Sequence, residues 1–377
     1  MAEDNRHTSI EEDKVESETN GYITNPFSTK DIKITNQVFA LPSLVNRLEH
    51  NEIDLNPDFQ RHGNLWSATN MSRLIESILL KLPLPIFYFD VTNPDCWIVV
   101  DGLQRLSTIK KFMVDKTLKL KNLEFLKELE GYRYDDLDRG FKRVFEGTQI
   151  VTYQIEAQTP KKVRYSIFNR INTGGLPLNA QEIRQALNQQ GYGVEFLIEV
   201  TEDKIFKDIV NVPSKRMLDR ELALRFFSFK LFENSYNVFP YSNMGEFLDV
   251  AMEKLDAIEN KEDLNVLKKD LFDILVFSEK VLGQGHRFSR AIALDVKTKT
   301  LNRSLFDVLT VCFSNINDKE PFLKNKDTFI SKLKKLLQDE KGEFSKAITE
   351  GTSSKGAIET RFKIINELIK EVLDGYQ

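Results

Sequence analysis

The strongest constraint on this chain is the point at which its apolar periodicity changes. Up to about residue 190, short β-branched runs alternate with helical segments; beyond Gly191 the strand pattern disappears. Segments near 216–233, 243–257, 262–281, 303–315, 326–338 and 356–374 space their apolar residues as one buried helix face requires. A chain with strands confined to one half is predicted to be α+β, a mixed domain followed by an all-helical one. At 377 residues it also exceeds what a single hydrophobic core usually serves. The expected division is a disordered acidic tail over 1–30, a mixed domain over 31–190 and a helical domain over 191–377.

Within the first half, alternation predicts a strand near Ile32 to Phe39, and Leu41 to Leu48 a short helix. Ile53 to Arg61 reads as extended chain with a turn at Asn56-Pro57. Met71, Leu74, Ile75, Ile78, Leu79 and Leu82 then share one helix face, capped by Ser67 or Thr69 and stopped by Pro83 and Pro85. Strands follow at Ile86 to Phe89, Cys96 to Val100 and Gln149 to Ile155. Pro160 suits the first turn of a helix carrying Val163, Ile167, Phe168 and Ile171. Asn179 and Glu182 make a capping-box-like start to the next helix.

The stretch with most chemistry is Trp97 to Phe112. Its strand ends in Asp101-Gly102, and Leu106, Ile109 and Phe112 resume at helical spacing, so a helix begins in or just after Gln104-Arg105. A glycine turn between strand and helix leaves backbone N–H groups at a positive dipole end, an arrangement suited to phosphate. Arg105 adds a planar fork of donors, or pairs with Asp101, or is simply solvated. Two further polar turns are Gln60-Arg61 and the helix end Asn169-Arg170-Ile171-Asn172-Thr173-Gly174-Gly175. Together the three would suit a polyanion such as a triphosphate, with Asp101 placed to help hold Mg²⁺. Taken singly, Arg61 also reads as a surface residue and the Asn172 turn as a helix C-cap.

Much familiar chemistry is excluded. The four histidines, His7, His50, His62 and His286, include no pair at metalloprotease or His-Asn-His nuclease spacing. There is no Gly-Lys-Ser/Thr phosphate loop, no Gly-x-Gly-x-x-Gly and no Gly-x-Ser-x-Gly elbow. Cys96 and Cys312 make neither a disulfide framework nor a zinc site, which fits a reducing cytoplasm. No apolar run approaches the roughly 20 residues that span a bilayer. A net charge of −4 argues against a nucleic-acid coat protein, though not against a local basic groove.

A combination of motifs resembles the GmrSD N-terminal domain family. It comprises Leu55-Asn-Pro-Asp-Phe-Gln-Arg61, Trp66, Leu74-Ile-Glu-Ser-Ile78, Pro83-Leu-Pro85 and Val100-Asp-Gly-Leu-Gln-Arg105-Leu-Ser-Thr108. Ile167 to Gly175, Leu178 and Glu182-Ile-Arg184 resemble its second block. Helical features such as Asp219-Arg220, Leu224-Arg225, Leu305-Phe306-Asp307 and Arg361-Phe362 are similar as well. The resemblance implies a ParB/sulfiredoxin-like N-terminal domain and nucleotide binding around Gly102, Gln104 and Arg105. Asp101, Gln104 and Arg105 would be its catalytic residues, with Mg²⁺ on Asp101. Gln60, Arg61, Ser107, Thr108, Asn169, Arg170 and Asn172 would line the nucleotide. It further implies NTP hydrolysis coupled to cleavage of modified phage DNA. Two departures stand out: Leu103 replaces the usual Gln of the Asp-Gly-Gln-Gln-Arg signature, and the His-Asn-His nuclease domain of several members is not in this chain.

Three readings remain open on sequence. The first is a nucleotide-binding, NTP-hydrolysing component of a restriction or phage-defence system, working with DNA and with a separate nuclease or defence subunit. The second is a regulator of DNA or partner binding that uses nucleotide as a switch without turnover. The third is a ParB-like DNA nuclease, ranked last because metal-dependent phosphodiester cleavage wants several carboxylates and the motifs offer only Asp101 and Glu182.

Overall fold

The computed structural model describes residues 9–10, 32–55, 66–171, 179–188, 191–233, 235–286, 288–296 and 300–375. They fall into two units, 25–179 and 180–377, the second also taking in residues 1–24. The fold is α+β, with a mixed five-stranded sheet in the first unit and a mostly helical second unit.

The short strand β1 (Ser9–Ile10) belongs to the helical unit. Although the sequence predicts no regular structure before residue 31, these two residues pair in parallel with β7 (Thr300–Leu301). This ladder is the only pairing of strands described in that unit, besides an isolated bridge between Asn243 and Ser354.

In the sheet unit, β2 (Ile34–Ala40) leads directly into α1 (Leu41–Glu49), with Pro42 in its first turn. β3 (Ile53–Asp54) precedes α2 (Ala68–Leu79), whose cap is Ser67, its hydroxyl accepting from Asn70 N at 3.2 Å. β4 (Phe87–Asp90) and β5 (Trp97–Asp101) follow, and β5 runs through Gly102 into α3 (Leu103–Ile109). That helix continues as a π-turn over Lys110–Val114. After α4 (Arg139–Gly147) come β6 (Gln149–Ile155) and α5 (Lys161–Ile171).

Strand order is β2-β6-β4-β5-β3, with β2–β6 and β4–β5 antiparallel and β6–β4 and β5–β3 parallel. Because alternate residues face opposite ways, Phe87, Phe89, Trp97, Val99 and Ile150 enter one core. There they meet Leu44 and Leu48 of α1, Ile75 and Ile78 of α2, and Leu106 and Ile109 of α3. Asp90 lies on the other face, where Arg164 of α5 donates to its Oδ2 at 2.9 Å and to Thr92 Oγ1 at 2.7 Å.

The helical unit opens with α6 (Ala180–Leu187), α7 (Tyr192–Glu202) and α8 (Lys204–Ile209). It continues through α9 (Leu218–Leu231), α10 (Met244–Asp256), α11 (Lys261–Leu282) and α12 (Arg303–Ser314). It closes with α13 (Lys319–Lys324), α14 (Lys326–Gln338), α15 (Glu343–Ala347) and α16 (Lys355–Asp374). A large apolar core runs through it, rich in phenylalanine, including Phe226, Phe227, Phe306 and Phe362. The units divide between Asn179 and Ala180 because α6 packs with the helices that follow: Arg184 donates to Asp249 Oδ1 of α10 at 2.6 Å. Among the described residues, no helix is long and apolar enough to cross a membrane.

Candidate functional site

The site is built on the junction of β5 and α3. Gly102 adopts φ 105°, ψ 8°, a left-handed conformation that ends the strand and turns the chain into the helix. A Cβ here would lie 2.4 Å from Cδ1 of the buried Phe87 ring, so close packing and backbone angle both demand glycine. The helix starts at Leu103, slightly earlier than its apolar spacing suggests, and Leu106 N–H closes its first turn on Gly102 O at 2.9 Å.

Arg105 is buried, at 7% exposure, and its fork points inward. Nη1 donates to Pro85 O, and Nη2 donates to Ile86 O at 3.2 Å and to Asp101 Oδ2 at 2.9 Å. The guanidinium carbon also lies 4.3 Å from the centre of the Phe87 ring. The reason is local. Pro83 and Pro85 break the regular chain before β4, and the carbonyls there need donors that the sheet does not provide. Burial pulls the Arg105 pKa below its usual value, opposed by the Asp101 carboxylate. Arg105 thus ties α3, β5 and the proline segment together. The pairing with Asp101, one of the roles open to it on sequence, is formed.

Asp101 keeps its side chain 35% exposed, with Oδ2 given to Arg105. A single exposed carboxylate fits the way Mg²⁺ is usually held beside nucleotide, by one or two carboxylates plus the phosphates themselves. Among the described residues, no group of three or more His, Cys, Asp and Glu is placed to hold a metal alone.

Gln104 accepts from Trp66 N at 3.0 Å, which fixes the end of the first motif to α3. The start of that motif is also fixed nearby, since β3 pairs in parallel with β5 and leads to Leu55. Gln60 and Arg61 lie between these anchors, outside the described residues, as does Asn172. Asn169 and Arg170 fall in the last turn of α5, and Arg170 is exposed; the side chain of Asn169 is outside the described set. Ser107 and Thr108 are buried in α3, and Thr108 donates its hydroxyl to Gln104 O at 2.7 Å. Leu103 is half-buried and packs against the core of the sheet unit, so its departure from the signature serves packing.

Other charged residues proved important although sequence reasoning gave them no role. Glu76 of α2 is 3% exposed and accepts from the N–H groups of Glu124, Phe125 and Leu126 at 3.0, 2.7 and 2.8 Å. Burial alone would raise its pKa, but those three donors and Arg73 bring it below the usual value. Its signal was a carboxylate inside an apolar run, Leu74-Ile75-Glu76, where solvation is unavailable.

Residues 43–188 match the model of the family described as GmrSD restriction endonuclease, N-terminal domain. Over that stretch the chain is similar to this family. No curated protein and no solved structure matches the chain. The GmrSD match takes in the whole β5–Gly102–α3 junction and extends through α6, so it crosses the division between the two compact units.

Proposed function

We propose that this protein is the nucleotide-binding component of a DNA-restricting defence system, with the β5–Gly102–α3 junction as its nucleotide site. The GmrSD match supports a role in restriction. The observation that carries the nucleotide reading is Gly102, held left-handed against Phe87 so that α3 begins at the very end of β5. Phosphate would lie on the first-turn backbone donors. Asp101 would hold Mg²⁺ beside it, and the ion would screen the charge of the phosphates. Arg105 acts here as a positioning residue, because its donors are committed to Pro85 O, Ile86 O and Asp101. Gln104 accepts from Trp66 N, and in this reading Gln60 and Arg61, outside the described residues, would supply a cation to the phosphates. DNA and a separate nuclease subunit are its partners in this reading.

Turnover is tested by phosphate release from each of four NTPs with Mg²⁺, with and without DNA. Release that rises with DNA supports the hydrolytic reading. Tight binding with no release at any DNA concentration assigns the protein to the nucleotide-switched class instead. Asp101→Asn, which keeps the turn chemistry but removes the charge, should lower release more than affinity.

A further inference from the structure

Several hydroxyl groups on the helices of this chain are satisfied within their own helix. Ser72, Thr201, Ser228 and Thr310 each donate to the carbonyl four residues back, at 2.7, 2.8, 2.7 and 2.6 Å. Ser278 of α11 does not. Its side chain is fully buried, yet its Oγ has no hydrogen-bond partner. A buried hydroxyl left unsatisfied is costly, so it points to a group that completes it.

Ser278 lines a cavity of about 260 Å³ inside the helical unit. Glu279 and Leu282 of α11, Asp208 and Ile209 of α8, Phe288 and the 283–285 turn form the rest of the wall. Glu279 is half-exposed and Asp208 exposed, and among the described residues neither carboxylate has a partner. Among the described residues, no lysine, arginine or histidine belongs to the wall. The 22-residue helix α11 also ends here, so the negative end of its dipole adds to the two carboxylates.

Elsewhere the helical unit meets helix ends with its own ammonium groups. Lys254 donates to the carbonyl of Leu231, the last residue of α9, and Lys326 donates to Lys280 O of α11 at 3.1 Å. Lys254 Nζ also lies 4.4 Å from the centre of the Phe232 ring. At the cavity the helix end and the phenylalanine recur, and the wall supplies acceptors without a cation.

We propose that this cavity binds a primary alkylammonium, the end of an aliphatic diamine or polyamine. An ammonium carries three donors, and Ser278, Glu279 and Asp208 offer three acceptor side chains. Ile209, Leu282 and Phe288 then cover the first methylenes, as apolar surface covers a lysine stem. A metal ion is the poorer match. Mg²⁺ and Ca²⁺ take about six or more oxygens, and among the described residues no group of three His, Cys, Asp or Glu could hold one. The site lies wholly within the helical unit and does not depend on the nucleotide reading.

The test is calorimetry on the intact chain with putrescine, at fixed ionic strength. Two control probes are n-butanol, which lacks the charge, and tetramethylammonium, which keeps the charge but has no N–H donor. Putrescine should bind at least about tenfold more tightly than either. Glu279→Gln should weaken its binding about tenfold or more. Ser278→Ala should weaken it several-fold with thermal stability unchanged, because that hydroxyl holds nothing in the protein itself. No binding at millimolar putrescine, equal affinity for tetramethylammonium, or full affinity in either variant would overturn the proposal. Displacement of putrescine by Mg²⁺ or Ca²⁺ at matched ionic strength would assign the cavity to a metal ion and overturn it as well.

Discussion

The two units place their largest buried charge networks differently. In the sheet unit, beside the Asp90–Arg164 pair, buried charged groups hold backbone: Arg105 binds the carbonyls of Pro85 and Ile86, and Glu76 binds three successive N–H groups at 124–126. In the helical unit the central network joins side chains to each other, although Arg361 also donates to Thr352 O and Arg184 to Gly245 O. Asp307 of α12 has no exposure and accepts from Arg225 of α9, at 2.9 Å from Nε and 2.6 Å from Nη2, and from Arg361 of α16 at 3.3 Å. Arg184 reaches Asp249 and Arg216 reaches Glu182. Backbone-directed charges fix loops, which a binding site needs; side-chain pairs fix the distance between helices. The difference teaches that a buried arginine beside a motif is not by itself a ligand group. Its partners decide.

Breaking the helical network should produce the largest effect. Asp307→Ala leaves Arg225 and Arg361 buried without their shared anion, and the expected loss is about 3–5 kcal/mol. Denaturant unfolding should show it in the transition of the helical unit. A change below about 1 kcal/mol would mean that the network contributes nothing to cohesion.

Asp219 sharpens the contrast through pH. Burial pushes its carboxyl from 3.8 up to about 6, against the pull of Arg220. A raised carboxyl favours the folded state when protonated, so this contribution is full below about pH 3.8 and lost as pH rises through about 6. Asp219→Asn should therefore stabilise the helical unit at pH 7 by up to about 3 kcal/mol and have little effect near pH 4. Glu76 has the opposite sign. Its folded pKa is lowered, so its contribution is present above the ordinary carboxylate range and lost as pH falls through the lower folded value. Acidification to pH 4 should strengthen one unit and begin to weaken the other.

Gly102→Ala should cost roughly 2–4 kcal/mol, combining a left-handed backbone with a clash against Phe87. The smallest effect is expected from Glu76→Gln, about 1–2 kcal/mol, because the amide oxygen still accepts from the 124–126 backbone while the charge is lost. Thermal unfolding from pH 7 down through the acid range below the ordinary carboxylate pKa would show the variant losing the acid-side slope of the parent.

Local pattern carried much of this architecture. Gln149–Ile155 and Lys326–Gln338 occur where apolar spacing puts them, and the Ser67 cap, the Gly102 turn and the helices of the second half follow from residues a few positions apart. What local pattern could not show is pairing across long separations. Nothing near Asp307 names Arg225 or Arg361 as its partners, 82 and 54 residues away. The direction of Arg105 was equally hidden, since it depends on carbonyls left over by Pro83 and Pro85 some 20 residues earlier. Glu182 and Arg184 were placed with the motifs of the first domain, yet their partners Arg216 and Asp249 lie in the helical unit.

Binding of nucleotide where β5 passes through Gly102 into α3 is tested most directly by hydrogen exchange of the intact chain. With saturating NTP and Mg²⁺, amides of residues 102–105 should exchange several-fold more slowly, while those of α9 and α12 keep their rates. Unchanged exchange at 102–105, or protection confined to the helical unit, would contradict the account.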